Sequence, residues 1–200
     1  SYRVMHFWHS SSPWSPCCGI ASAMALNLAT GTLTASRGTT ILGGANGAWG
    51  AGNIATTAGG TLRLDNGTTN NSNRLFNTGT VTMTGGTLDV VGNTTAEVTG
   101  ALTVNSIDGV ITMSGSGSSL TFASVTFANT GSSLDLSGVG SNSVIFTTAP
   151  TLTNGLHPRF FLGGEDFATM ANATAVTAFT GYAALTDINA GATTDTYKVG

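Results

Sequence analysis

The stretch Val81–Val104, VTMTGGTLDVVGNTTAEVTGALTV, decides the fold. Apolar and polar residues alternate through Val81-Thr82-Met83-Thr84 and again through Thr87-Leu88-Asp89-Val90, a period of two that sends successive side chains to opposite faces of a strand. Gly, Asn and Ser bound each run, and these are turn formers.

The same texture extends in both directions. It predicts strands over Gly31–Ala35, Gly60–Leu64, Thr80–Met83, Thr87–Val91, Ala101–Asn105, Val110–Ser114, Ser119–Phe127, Ser133–Ser137, Ser143–Thr148, Arg159–Leu162, Ala175–Tyr182 and Thr196–Val199. Asn46-Gly47, Asn66-Gly67, Asp108-Gly109 and Asn154-Gly155 are turn signals between them. Only Ile20–Leu28 has a helical look, so the chain reads as all-β.

An internal echo chooses among all-β architectures. Gly-Thr-Leu recurs at Gly31-Thr32-Leu33, Gly60-Thr61-Leu62 and Gly86-Thr87-Leu88, and related starts follow at Leu102, Leu120 and Leu134. A quasi-repeat of roughly 20 to 30 residues is the mark of a solenoid, in which each coil buries its apolar side against the next. The inward residues expected on this basis are Leu62, Leu64, Val81, Leu88, Val90, Leu102, Val104, Ile111, Leu120, Phe122, Leu134, Leu136, Val144 and Phe146. Thr, Ser and Asn then form the outer rows.

Composition agrees. Only 8% of the 200 residues are charged, against roughly 25% in an ordinary domain. With six basic residues, nine acids and a net charge of −3, the chain lacks the clustered Lys and Arg that nucleic acid or an anionic membrane requires. No apolar run reaches the roughly 20 residues of a membrane helix. Cys17 and Cys18 are adjacent and no other cysteine follows, so neither a disulfide framework nor a cysteine-based zinc site is expected. Gly19–Ala29 has the length of a signal-peptide apolar region but weak flanks. Residues 1–18 hold two of the three Trp, at Trp8 and Trp14, and read as a poorly ordered terminus rather than an aromatic binding arm. Three regions follow: an N-terminal segment over 1–29 outside the repeat fold, β-helix repeats over 30–154, and a loop and strand module over 155–200 that continues the β-helix. The strand-like pattern still running at Gly200 reads as a fragment of a longer chain.

In order along the chain, three stretches resemble the passenger regions of autotransporter-associated β-strand repeat proteins. They are Gly60–Leu75 (GTLRLDNGTTNNSNRL), with its strand, Leu-Asp-Asn, Asn-rich turn and Arg-Leu; Val81–Thr153, with its Gly-Gly-Thr-Leu, Glu-x-x-Gly-Ala-Leu-Thr and Leu-Thr-Phe strands; and Asn154–Tyr182, centred on Asp166-Phe167-Ala168-Thr169 and closed by Val176-Thr177-Ala178-Phe179. His157-Pro158-Arg159-Phe160-Phe161-Leu162 departs from the usual opening strand of that last module. The resemblance implies a right-handed parallel β-helix on the outer-membrane surface or outside the cell. It also implies an export barrel elsewhere in the full-length chain, and a cell-surface or carbohydrate ligand as partner. Its expected role is structural or adhesive and non-enzymatic.

The rival function is a carbohydrate-active β-helix enzyme. That chemistry needs two carboxylates roughly 5 to 9.5 Å apart, and Asp65, Asp89, Glu97, Asp108, Asp135, Glu165, Asp166, Asp187 and Asp195 are spread singly apart from the one neighbouring pair, Glu165-Asp166. That pair reads as a turn, and His157 lacks an orienting partner in sequence. No catalytic, cofactor-binding or metal-ligating residue is therefore expected, and no cofactor. Thr-x-Thr pairs of the kind that match ice occur at Thr32/Thr34, Thr80/Thr82/Thr84 and Thr151/Thr153, but their spacing along the sequence is irregular, which argues against a matched lattice.

Overall fold

A computed structural model describes residues 31–182 except 108 and 173, together with the backbone of Ala21 and Ser22. The predicted strand Thr196–Val199, the helix-like Ile20–Leu28, the aromatic segment 1–18 and both cysteines lie outside the described residues, apart from the two-residue strand β1 (Ala21–Ser22).

The chain then winds through strands β2 (Gly31–Ala35), β3 (Gly38–Gly43), β4 (Gly52–Thr57), β5 (Gly60–Asp65), β6 (Val81–Thr84), β7 (Gly86–Val91), β8 (Ala96–Thr99), β9 (Leu102–Val104), β10 (Gly109–Ser114), β11 (Ser119–Phe122), β12 (Val125–Phe127), β13 (Leu134–Ser137), β14 (Ser143–Phe146), β15 (His157–Leu162), β16 (Asp166–Ala171) and β17 (Ala175–Ala178). Every pairing from β1 to β15 is parallel, from each coil to the next. The molecule is a β-solenoid of about six turns.

Each full coil has three faces. The first is the sheet β2-β4-β6-β9-β12, and the second is β3-β5-β7-β10-β13-β15 with β1 at its outer end. The third is β8-β11-β14. The predicted strand Ser119–Phe127 is in fact two, β11 on the third face and β12 on the first. Ala123-Ser124 turn the corner between them.

Inward side chains stack by register. On the second face one column runs Leu62, Leu88, Ile111, Leu136, Leu162 and a neighbouring one Leu42, Leu64, Val90, Met113. On the first face Leu33, Ile54, Val81, Leu102 and Val125 form one column and Ala35, Thr56, Met83, Val104 and Phe127 another. On the third face Leu120 stacks on Val144 and Phe122 on Phe146. All fourteen expected core residues are buried. Each such side chain contributes roughly 1.5 to 3 kcal/mol by leaving water.

The sequence echo is partly a true repeat and partly coincidence. Thr61 pairs with Thr87 and Leu62 with Leu88, so those two triplets are successive copies of one position. Gly31-Thr32-Leu33 belongs to another face, where Leu33 pairs with Ile54. Leu102, Leu120 and Leu134 likewise lie in strands on three different faces rather than in one column. The glycine that opens the true repeat has a steric cause. A β-carbon at Gly60 would lie 2.2 Å from the Ala35 carbonyl oxygen, and one at Gly86 2.4 Å from that of Thr57. The corner between the first two faces closes too tightly for a side chain.

The C-terminal end reverses direction. β16 runs antiparallel to β15, and β17 runs antiparallel to both β16 and β14. This hairpin joins the second face to the third across the end of the coil, so the open edges of β14 and β15 are both paired. The region after residue 154 thus adds one parallel strand and then a cap. Asn154 and Gly155 both take positive φ, 51° and 80°, between the antiparallel partners Thr153 and Leu156. That is the backbone an Asn-Gly turn favours. Asn66-Gly67 is different: neither residue has positive φ, and Asn66 is held for its side chain.

Candidate functional site

The densest polar cluster lies inside the solenoid. Arg74 is fully buried, and so is Glu97. Glu97 occupies an inward position of β8 directly above Leu120, where the column is otherwise apolar. The coil above it passes as the Asn-rich turn 66–75, which presents backbone N–H groups instead of a strand. Glu97 Oε2 accepts the N–H of Arg74 at 3.1 Å and Oε1 accepts that of Leu75 at 2.8 Å.

The Arg74 guanidinium points the other way. Its Nε donates to Asn66 Oδ1 at 2.6 Å, Nη1 to the carbonyls of Gly44 and Gly47, and Nη2 to that of Thr69. Asn66 Oδ1 also accepts the N–H of Asn71. One cation thus ties together the turn after β3 and both ends of the turn after β5. Burial pulls the Arg74 pKa below its ordinary value, with the charges of Glu97 and Asp65 opposing that shift. Burial likewise pushes Glu97 up to about 7, against the N–H bonds from Leu75 and Arg74 and the Arg74 charge. Neither group faces solvent, and the arrangement is that of a structural clasp.

On the outside of the second face, Arg63, Asp89 and Thr112 lie side by side on β5, β7 and β10. Asp89 Oδ2 pairs with Arg63 Nε at 2.7 Å and Oδ1 accepts the Thr112 hydroxyl at 2.7 Å. This is the one ion pair among the described residues. Asp65 is the acid nearest to Asp89 in register, one coil up and two residues along. Strand geometry puts their backbones about 8 Å apart. Asp65 accepts the Gly67 N–H of its own turn, and Asp135, farther down the face, accepts the Gly164 N–H at 2.9 Å.

Glu165 lies exposed in the turn before β16, while the neighbouring Asp166 begins that strand, where it accepts the Tyr182 hydroxyl and the Phe167 N–H. His157 is buried at the start of β15, its ring 5.2 Å from that of Phe127 and 4.3 Å from that of Phe160. Burial, followed by the Arg159 charge, lowers its pKa to about 4. The structure does not bring His157 together with Glu165 and Asp166 in one groove. Asp108, Asp187 and Asp195 lie outside the described residues.

No group of three or more His, Cys, Asp or Glu side chains placed to hold a metal ion occurs among the described residues. No helix among them is long and apolar enough to cross a membrane. No family model matches the chain, and no curated protein or solved structure matches it either. The buried Arg74 and Glu97 escape sequence reading because each sits in a segment of exposed character, an Asn-rich turn and a short Ala-Glu-Val-Thr run. The only trace is their place in two of the stretches that carry the family resemblance.

Proposed function

We propose that this chain is a non-enzymatic structural and adhesive segment of a secreted or surface-displayed, autotransporter-like protein. What supports the reading most is the stacking of aliphatic columns through successive coils of the second face, closed at the C-terminal end by the β16–β17 hairpin. A coil so built gains stability from each neighbour and leaves few segments free to open, which suits a stiff spacer exposed to proteases. Its rigidity draws on packing and backbone ladders, with no contribution from cysteine after Cys18.

The competing reading is a carbohydrate-active enzyme, and the observation in its favour is the approach of Asp65 to Asp89 on the outer second face. Against it stands the engagement of both, Asp89 with Arg63 and Thr112 and Asp65 with its own turn. Two measurements separate the readings. Protease shaving and antibody labelling of intact cells should place the segment on the outer surface; an epitope reached only after lysis overturns the proposal. Incubation with a panel of polysaccharides should release no new chain ends, and release that Asp89→Asn abolishes would install the enzyme instead.

A further inference from the structure

The first face differs from the second in its outward side chains. Those in line with the central residue of each strand are Thr34, Ala55, Thr82, Thr103 and Thr126, one per coil. On one side of this row stand Thr32, Asn53, Thr80, Ala101 and Ser124. On the other stand Ser36, Thr57, Thr84, Asn105 and Ala128. Every position is Thr, Ser, Asn or Ala. None carries charge or an aromatic ring, whereas the second face carries Arg63, Asp65, Asp89 and Asp135. The irregular sequence spacing of the Thr pairs conceals this register: Thr32/Thr34 and Thr80/Thr82/Thr84 fall in one lattice, while Thr151/Thr153 fall outside it.

We propose that this face binds the surface of ice. Strands stack about 4.8 Å apart and alternate residues along a strand lie about 6.6 Å apart, which fixes a two-dimensional grid of hydroxyl and methyl groups. Hydrogen-bonded water oxygens lie about 2.8 Å apart, so second neighbours in a tetrahedral network are about 4.5 Å apart, close to the coil spacing. Threonine is stiff at χ1, so each hydroxyl and methyl is held in place before the lattice arrives. The hydroxyls of Thr82, Thr103 and Thr126 have no protein partner among the described residues, which leaves their donors and acceptors for water. A charge would draw a hydration shell of its own and break the match. An uncharged face complements an uncharged lattice, and without an aromatic platform it offers sugar rings nothing to stack on. The inference goes beyond the structural reading and does not depend on where the chain resides.

The test is ice partitioning and ice-recrystallisation inhibition with the full 200-residue chain. The wild type should enter slowly grown polycrystalline ice and keep its grains small. Thr103→Lys should be excluded from ice like a non-binding protein of equal size, with an unchanged circular dichroism spectrum. Thr34→Lys, at the far end of the same row, is the second variant in case the first does not fold. Thr87→Lys on the second face should partition like the wild type. Exclusion of the wild type from ice overturns the proposal, as does partitioning that Thr87→Lys abolishes and both first-face variants spare. Exclusion from ice combined with Thr103-dependent retention on insoluble cellulose or chitin also overturns it and assigns the face to polysaccharide.

Discussion

Glu97 accepts the backbone N–H of Leu75 from the coil above it at 2.8 Å, and in doing so fills the place of a strand that the Asn-rich turn does not supply. A buried backbone donor needs a partner, and here a side chain rising from β8 meets two of them in succession. The carboxylate is thus a ladder element in an otherwise aliphatic column.

Removing it should be costly in proportion to the donors it leaves. Glu97→Leu orphans the N–H groups of Arg74 and Leu75, and each buried unsatisfied group costs about 1 to 3 kcal/mol. Glu97→Gln keeps one carbonyl acceptor and should lose about half as much. Urea unfolding reads both as a lowered midpoint at unchanged slope. Equal stability of Glu97→Leu and wild type would contradict the assigned role.

Arg74→Met should destabilise the fold, since each buried acceptor left without a partner costs about 1 to 3 kcal/mol. It takes the guanidinium away from the carbonyls of Gly44, Gly47 and Thr69, while Asn66 Oδ1 keeps the N–H of Asn71. Hydrogen exchange should locate the loosening in the turns after β3 and β5, with the β10–β13 ladder still protected. Uniform loss of protection would refute a local clasp.

Two buried groups should give stability opposite dependences on pH. Glu97 has its folded pKa raised from 4.5 to about 7, so the unfolded chain ionises first and stability falls as pH rises from 4.5 to 7. His157 has its folded pKa lowered from 6.5 to about 4, so its contribution is complete above 6.5 and is lost as pH falls toward 4. Across pH 4.5 to 6.5 the two trends oppose one another in the wild type. Glu97→Gln should expose a stability that rises with pH, and His157→Phe one that falls. Thermal melts across that range check the signs, and parallel profiles for the two variants would be fatal to the argument.

Much of this fold is legible in the sequence because period-two alternation and burial coincide in strands such as β7, β10 and β13. It fails where an inward position is polar. β8 is invisible in the sequence because its inward residues are Glu97 and Thr99 while Val98 faces out. β4 buries Thr56, whose hydroxyl donates to the Gly85 carbonyl, and β3 turns Thr40 inward above Leu62. β16 escapes because its pattern belongs to a hairpin laid across the coil end. The clasp is hidden for a related reason: Arg74 looks like a surface residue until the carbonyls of two turns are seen to converge on it.

Ring stacking marks the lower part of the core, where Phe122, Phe146 and Phe160 lie in sequence with centroids 5.7 and 5.4 Å apart. Phe146→Ala should cost about 3 to 5 kcal/mol, since the rings above and below cannot close the cavity. Leu120→Asp places a charge beneath Glu97 in the same column and should abolish cooperative unfolding altogether. A soluble, cooperatively folded Leu120→Asp protein would show the column to be wrongly assigned.

The hairpin β16–β17 makes the last prediction, because it covers two strand edges at once. A chain stopped after Gly164 keeps β14 and β15 but leaves both with unpaired N–H and C=O groups, the template on which parallel strands of another copy can add. The aliphatic columns above would remain, so the truncated chain should retain its strand signal in circular dichroism. Its sedimentation should then become concentration-dependent, with species larger than one chain, while the intact chain at the same concentration does not gain them through this end. If the truncated chain stays monomeric and as stable as the intact one, the hairpin is an appendage rather than a cap, and the edges of β14 and β15 must be protected by their own short length.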